Sequence, residues 1–519
     1  MTSPATAQEG SVEKPRRNSF FWSRFFFLRI LAIAFVGTFL SLGLQIHALI
    51  GPNGILPAKE FLQALARDQS ILSCFLMAPS YLWVHAGELG LSALCWIGLG
   101  AAILLLFNVW PTMTLFTCWF SHLSFVTVAY IFSSFQSDSL LLEAAFLGLL
   151  IAPRGLLPGL GENNPPPRFG IWMLQWLLFR FAYGSGMAKL THESGQWFDL
   201  NVMSHFYETI PFPSFLGFFA HHLPQLFHGA VALLILTAEI IAPFFLLFGQ
   251  TFCMLGFFIW MFFQGWMLLT TNYFYLSLVA VGLGLFYLND SLMNRLFRLD
   301  APNVHLKLKR GFFEKLMRNG LLGFVFYLSF LSFLPTLKIP TEKIPSFLTV
   351  PAKSLQSFRL ANRYRLFSQI PEIRKQMIFE GSGDDGKTWK EYVYAWSPQD
   401  LSRSLPWMGY HLPRLEWNLW FASQGSFQNH PFVFATAMKL LEGDEKTLGL
   451  FDGNPFSVAP PSRMRFPLYD YSFASWETWQ EKGEWWQRKK SGDYAPALIR
   501  RGKDQYDLML DQYQPTLDG

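Results

Sequence analysis

The sequence predicts a polytopic α-helical membrane bundle of about nine spans, followed by a C-terminal β-rich soluble domain. Only 15% of the 519 residues are charged and 51% are hydrophobic, whereas ordinary soluble domains carry about 25% charged residues. Apolar runs close to the roughly 20 residues that cross a bilayer recur along the first two thirds of the chain. Beyond about residue 358 they give way to alternating apolar and polar residues separated by turn sequences, which is typical of strands.

In this interpretation the bundle occupies residues 19–335, after a disordered cytoplasmic tail at 1–18. A further apolar stretch, 71–86, contains Pro79 and His85 and is expected to lie at the membrane surface. The predicted spans are, in order, 25–48, 88–109, 111–133, 138–152, 169–188, 226–248, 251–270, 273–289 and 319–335.

Lysine and arginine predict the orientation of the bundle, because they are enriched in cytoplasmic flanks. With nine spans and a cytoplasmic N-terminus, three basic groups fall on the cytoplasmic side: before the first span, after the fourth and after the eighth. The region beyond a linker at 336–357 then lies outside the cytoplasm. The formal net charge of +5 is explained by flanks that face anionic lipid and implies no nucleic-acid partner. The basic residues are Lys14, Arg16, Arg17, Arg24, Arg29, Arg154, Arg168, Arg295, Arg298, Lys307, Lys309, Arg310, Lys315 and Arg318.

The four cysteines all lie in apolar stretches, and the region after residue 358 has none. The external domain therefore carries neither disulfides nor a thiolate metal site, which argues against a thiol–disulfide relay. These features are typical of an integral membrane protein of a bacterial inner membrane, or of the endoplasmic reticulum membrane in a eukaryote. No cofactor and no metal site are predicted, since His122 in the third span has no second histidine near it.

The C-terminal domain is predicted at 358–519, with a β-sandwich-like or α+β fold. The run from Lys375 to Trp396 reads as a strand, a tight turn and a second strand. Its turn, SGDDGKTW, resembles the Asp-box hairpin, in which an aspartate stabilises its own turn. The segment PRLEWNLWFAS is expected to place Trp417 and Trp420 on a buried face.

Arg180 lies in the middle of the fifth span, about 16 Å from its inner end. An ionisable group at that depth costs several kcal/mol unless it is paired or hydrated. Glu143 in the fourth span and Glu239 in the sixth are the predicted partners. The pairing serves either to fix the bundle as a salt bridge or to line a functional cavity.

Lys189 lies at the outer end of the same span, where two roles are open. Burial there can lower the pKa of a lysine and make it a general base. An interfacial lysine that reaches lipid headgroups is the alternative, which the residues alone favour. The external loop at 189–225 supplies further candidates for a pocket, although such ionisable residues also serve solvation alone. They are His192, Glu193, His205, Tyr207, Glu208, His221 and His222.

Several motifs together resemble the lipase maturation factor family of polytopic membrane proteins. They are GPNGILP, DSLLLEAAFLGLLIAP, LLFRFAYGSGMAKL, WFDL and HFYETIPFP in the bundle, and RYRLF, EGSGDDGKTWKEY, HLPRLEWNLWF and LFDGNPF in the outer domain. Animal members of the family reside in the endoplasmic reticulum and assist the folding and assembly of secreted lipases. The resemblance implies a maturation factor whose soluble region faces the non-cytoplasmic side and contacts lipase-like client proteins.

A second, more distant resemblance concerns Gly186, Lys189, Leu190 and Trp197. This spacing is similar to the segment of vitamin K-dependent carboxylase and its bacterial relatives that carries the catalytic lysine. The resemblance implies that Lys189 acts as a base on a quinone-like substrate and that Trp197 helps to build the pocket. The outer domain, by contrast, resembles the maturation factors and not the carboxylase.

Three classes of function follow. The main prediction is a non-enzymatic membrane factor that assists the folding of secreted or envelope proteins. The alternative is a membrane enzyme that uses Lys189 as a base on a quinone-like or lipid substrate. A transporter is the weaker alternative, because the two halves of the bundle show no convincing repeat.

Overall fold

Apolar helices form the first part of the computed structural model, which describes residues 19–67, 69–302 and 311–509. The predicted tail at 1–18 lies outside the described residues. The helices of this part are α1 (Phe21–Ile50), α2 (Ala58–Ala66), α3 (Ile71–Met77), α4 (Glu88–Leu106), α5 (Pro111–Val128), α6 (Gln136–Ile151), α7 (Arg168–Leu190), α8 (Met203–Thr209), α9 (Phe215–His221), α10 (Gln225–Leu236), α11 (Gln250–Thr270), α12 (Phe274–Gly284), α13 (Asp290–Phe297), α14 (Phe312–Phe333) and α15 (Ser346–Ser354).

Within the described residues, five helices are long and apolar enough to cross a membrane. They are α1, α4, α10 with its continuation to Leu247, α11, and α14 with its continuation to Leu337. The count rises to six if α12 and α13, bent by 104° at their junction, form one broken span. The predicted count of about nine is not confirmed. Two of the predicted spans are short as helices, since α6 has 16 residues and α12 has 11.

The long helix α1 lies at the centre and packs against α4 and α12. Its Phe27, Phe35 and Phe39 are fully or almost fully buried. Gly98 of α4 faces Phe39, and a Cβ atom there would lie 2.4 Å from the phenyl ring. The glycine therefore lets the two helices approach closely, as small residues do between membrane helices.

The C-terminal region is one antiparallel sheet with helices packed on it, in the part of the chain that the structure describes. The sheet order is β3-β2-β4-β5-β6, and β1 also pairs with β4. Because α16 packs against β1, and α17 against β4 and β5, the α+β alternative describes this region and the sandwich alternative does not. The elements are β1 (Arg374–Met377), β2 (Phe379–Ser382), β3 (Lys390–Tyr392), α16 (Arg414–Ser423), α17 (Phe432–Glu442), α18 (Glu445–Leu448), β4 (Arg463–Phe473), α19 (Trp476–Lys482), β5 (Trp486–Gly502) and β6 (Gln505–Met509).

The Asp-box-like turn between β2 and β3 is held by Asp384. Its carboxylate accepts hydrogen bonds from the backbone N–H of Thr388 at 2.8 Å and from the Thr388 hydroxyl at 2.6 Å. Trp389 lies under the guanidinium of Arg465, 4.4 Å from the ring centre. The first contact lies within the turn, whereas the second packs the hairpin against β4, so this motif shapes the hairpin and its contact with the neighbouring strand.

The C-terminal region at 374–509, called here the sheet region, covers one end of the bundle. At this end α1, α5, α7 and α11 finish, and α4, α6 and α12 begin. Gln45 near the end of α1 donates to the carbonyl of Leu412 at 2.8 Å. Asn272, between α11 and α12, accepts a hydrogen bond from the backbone N–H of Met408 at 3.1 Å. The junction is therefore formed by polar groups of both regions.

Candidate functional site

Buried ionisable side chains concentrate where the sheet region meets the bundle. Three clusters form there, each around an acid of the bundle. Two of them bind the segment at 359–371, called here the junction loop, which connects α15 to β1. The third binds α16.

The first cluster joins Arg180 of α7 to Glu143 of α6, and both side chains are buried. One nitrogen of the guanidinium donates to Glu143 Oε1, and another donates to the carbonyl of Asn362 at 3.0 Å. Glu143 Oε2 accepts from the Asn362 backbone N–H at 2.9 Å, from its side-chain amide at 3.0 Å and from the Tyr364 hydroxyl at 2.8 Å. The structure thus brings Arg180 and Glu143 together, and the junction loop completes their hydrogen bonding.

The second cluster joins Lys189 to Glu239. Lys189 Nζ donates to both oxygens of Glu239, at 2.9 and 2.7 Å, and to the carbonyl of Leu366 at 2.9 Å. A lysine ammonium has three N–H donors, so all three are engaged. The ammonium also lies 5.1 Å from the centre of the Trp197 ring, whose indole N–H donates to the Phe367 carbonyl at 3.1 Å.

The position of Glu239 corrects the prediction that this residue is within reach of Arg180. The helix that carries it widens into a π turn at Thr237–Ile241, just before Pro243. Gly186 of α7 lies against this turn, where a Cβ atom would lie 2.6 Å from Ile240. The close contact places Glu239 beside the C-terminal end of α7, and therefore beside Lys189.

The third cluster links Asp138 at the start of α6 to Arg414 at the start of α16. The guanidinium is bidentate, with distances of 2.8 and 2.9 Å to the two carboxylate oxygens. The Tyr275 hydroxyl and His122 Nε2 both lie 3.2 Å from Asp138 Oδ1. Sequence reasoning missed this pair, although a signal existed: an acid opens a predicted span, and an arginine lies in HLPRLEWNLWF.

The remaining candidates of the loop at 189–225 lie elsewhere. His192 is partly exposed and bonds to Ser194 at 3.0 Å, and Glu193 is exposed. His205 belongs to α8 and is half-buried. The Tyr207 hydroxyl accepts from the Trp266 indole at 3.2 Å. These contacts do not place the residues around Lys189.

Glu208 joins the loop to the sheet region instead. Its Oε2 accepts from the backbone N–H of Phe473 at 2.8 Å and lies 3.9 Å from His221 Nε2. Burial raises the pKa of Glu208, and burial together with the neighbouring histidines lowers the pKa of His221 to about 4. His222 bonds to the Ala474 carbonyl at 3.0 Å. Over residues 19–67, 69–302 and 311–509, no three His, Cys, Asp or Glu side chains converge in a way that suits a metal ion.

Comparison with known proteins identifies both parts of the chain. Residues 22–295 match the model of the lipase maturation factor transmembrane domain, and residues 360–496 match that of the lipase maturation factor C-terminal domain. Lipase maturation factor 1 of Homo sapiens is 28% identical over 523 residues, which cover 95% of this chain and 91% of that protein. Lipase maturation factor 2 of Mus musculus is 26% identical over 602 residues, covering 94% of this chain and 84% of that protein. No solved structure matches the chain significantly.

Proposed function

Since the chain belongs to the lipase maturation factor family, we propose that it is a membrane-embedded maturation factor for secreted or envelope proteins. Both the bundle and the sheet region match the family, and the relatives are similar over almost the whole chain. The chain is an integral membrane protein, because its apolar helices are long enough to span and belong to a family model of a transmembrane domain. Its clients are proposed to be lipase-like proteins, in line with the names of these relatives.

The observation that carries the proposal is the buried junction between the two family regions. Arg180, Lys189 and Arg414 each form an ion pair that is almost completely excluded from solvent. The Arg414 pair, together with the hydrogen bonds from Arg180 and Lys189 to the junction loop, fixes the sheet region against one end of the bundle. A rigid platform at the membrane surface suits a factor that receives a client emerging on that side.

We further propose that nine helices cross the membrane and that the sheet region lies on the non-cytoplasmic side. The helices α1, α4, α5, α6, α7, α10, α11, α12 and α14 alternate in direction between the end that bears the sheet region and the opposite end. Basic residues such as Arg154, Arg168 and Arg295 belong to the opposite end, which supports a cytoplasmic assignment for it. A test replaces exposed Val458 of the sheet region, or exposed Arg154, by cysteine. A membrane-impermeant maleimide applied to the non-cytoplasmic side should label the first variant and spare the second, and the reverse pattern would invert the topology.

The maturation role is tested in cells that lack a lipase maturation factor of their own. In these cells the chain is expressed together with a secreted lipase. The full chain should raise the specific activity of the secreted lipase, with little change in lipase synthesis. Arg414→Leu removes one ion pair of the junction and should reduce this gain. Arg154→Gln is the matched control, because Arg154 pairs with Glu314 at the opposite, exposed end. If lipase activity is the same with and without the chain, the proposed client class is wrong.

We do not propose the enzymatic alternative, and the comparisons give no support to it or to the transporter. A general base needs a free lone pair directed at its substrate. All three donors of Lys189 Nζ have acceptors, and the junction loop covers the ammonium. Lys189 is therefore assigned the role of binding the loop.

A further inference from the structure

An open groove of about 580 Å³ lies beside the junction, between the junction loop and α16. Its volume is within the roughly 300 to 1,000 Å³ of small-molecule pockets. The walls are mostly apolar, and they include Ile131, Phe135, Tyr273, Trp417, Trp420 and Phe421. Phe421 is 48% exposed, so the groove offers an aromatic wall that solvent or a ligand can reach.

The groove carries a positively charged side chain, Arg365. Arg365 lines it and is exposed, and its guanidinium forms no ion pair with any residue that the structure describes. Its backbone N–H donates to Gln136 Oε1 at 2.8 Å, which fixes this part of the junction loop. None of the described residues that line the groove is an aspartate or a glutamate. Burial lowers the pKa of His430, which also lines the groove, so Arg365 is the cation that the described lining residues offer at neutral pH.

The groove also lies at the level where the apolar helices end. Ile131 and Phe135 follow α5, and Tyr273 precedes α12. Tyr130, next to the groove in sequence, is 64% exposed. A groove at the ends of these apolar helices is accessible to an amphiphile held in the adjacent membrane leaflet.

We propose that this groove binds a single-chain anionic amphiphile, with its acyl chain along Trp420 and Phe421 and its anionic group beside Arg365. The apolar wall matches the acyl chain, and Arg365, with no aspartate or glutamate among the described lining residues, matches the anionic group. An apolar peptide segment without an acidic side chain fits less well, because it leaves the charge of Arg365 without a counterpart. A free fatty acid and a lysophospholipid share the chemistry. The inference is independent of the maturation role.

The test uses the full chain in nanodiscs of phosphatidylcholine, which carries no net charge. A fatty acid with a photoreactive diazirine on its chain is cross-linked, and the adducts are located by mass spectrometry. Adducts are expected on residues 417–421 and on 365–371. Oleate and 1-oleoyl-lysophosphatidate should both compete, while oleyl alcohol should compete poorly. Competition by only one of the two anions identifies the source of the ligand.

Two variants and one control make the test specific. Arg365→Gln should weaken oleate competition about tenfold, since hydrogen bonds to charged groups are the strong ones, and should erase the preference over oleyl alcohol. Ser134→Trp places a large side chain in the groove from its exposed edge and should abolish the adducts. Arg363→Gln is the control, because Arg363 is exposed on the same loop and does not line the groove.

Three results would overturn the proposal. The first is adducts confined to α14, which does not line the groove, and the second is equal competition by oleate and oleyl alcohol. The third is displacement of the probe by an acidic apolar peptide but not by oleate, which would assign the groove to a polypeptide. If Ser134→Trp unfolds the chain, Phe421→Gln replaces it and should lower adduct formation in folded protein.

Discussion

Replacing Lys189 by methionine distinguishes a lysine that binds the junction loop from one that does chemistry. Lys189 is 1% exposed and Glu239 is 5% exposed, so the substitution leaves a buried carboxylate without its partner. Breaking a buried ion pair in this way costs about 3 to 5 kcal/mol. The Leu366 carbonyl also loses its donor, which adds roughly 1 to 3 kcal/mol. We therefore expect about 4 to 8 kcal/mol of destabilisation.

The double variant Lys189→Met/Glu239→Leu separates the two contributions. Replacing both partners of a buried pair by apolar residues is close to neutral, so only the loss of the bond to Leu366 remains. The second substitution should therefore restore about 3 to 5 kcal/mol. Unfolding of the purified chain in mixed micelles measures stability, and the secreted-lipase assay measures function. Arg154→Gln is the control for stability, since an exposed pair contributes at most about 1 kcal/mol.

Two results would refute this reasoning. If Lys189→Met alone costs less than about 1 kcal/mol, the pair is not the buried contact described here. If the double variant regains stability but not lipase maturation, Lys189 has a chemical role that its pairing does not explain. Recovery of both properties would leave loop binding as its function.

Four further predictions concern other parts of the molecule. Arg414→Leu leaves Asp138 buried without its partner and should expose the chain near 338–358 to trypsin; Asp138→Leu in the same chain should restore protection. Glu143→Gln keeps the shape but leaves the buried Arg180 guanidinium without a countercharge, and should lower the free energy of unfolding by about 3 to 5 kcal/mol in the micelle assay. Burial lowers the pKa of His221 to about 4, so as the pH falls the unfolded chain binds a proton at this histidine before the folded chain does. The free energy of unfolding should therefore fall by up to about 3 kcal/mol between pH 6.5 and 4, and His221→Asn should reduce this pH dependence. Asp384→Ala should speed hydrogen exchange of the backbone amides in its own turn, with no effect on lipase maturation.

The pairing of Arg180 with Glu143 could be predicted because the depth of a residue within a span follows from its distance in residues from the end of the helix. The same arithmetic misplaced Glu239, because it assumed that every span begins in one plane. Glu239 lies 14 residues after the start of α10 at Gln225, about 21 Å along the helix, yet it contacts the end of α7. The start of α10 therefore projects beyond the end of α7, toward the sheet region.

The partners supplied by the junction loop were not predictable from side-chain patterns. Arg180 and Lys189 bind backbone carbonyls of Asn362 and Leu366, more than 170 residues further along the chain. Every residue type carries a carbonyl, so no composition signal marks these two. The fold class, by contrast, could be predicted, because apolar runs and the alternation of strands are patterns of side chains that the sequence shows directly.

The junction also determines the order in which the protein is completed during synthesis. A ribosome that has reached residue 336 has produced all of the bundle and none of the junction loop. Glu143 then lacks three of its four donors, and Lys189 lacks one of its three acceptors. The membrane part is thus finished by segments translated after it. A premature stop codon between residues 336 and 359 should accordingly yield an incomplete bundle that membrane quality control degrades, rather than a stable anchor without its sheet region.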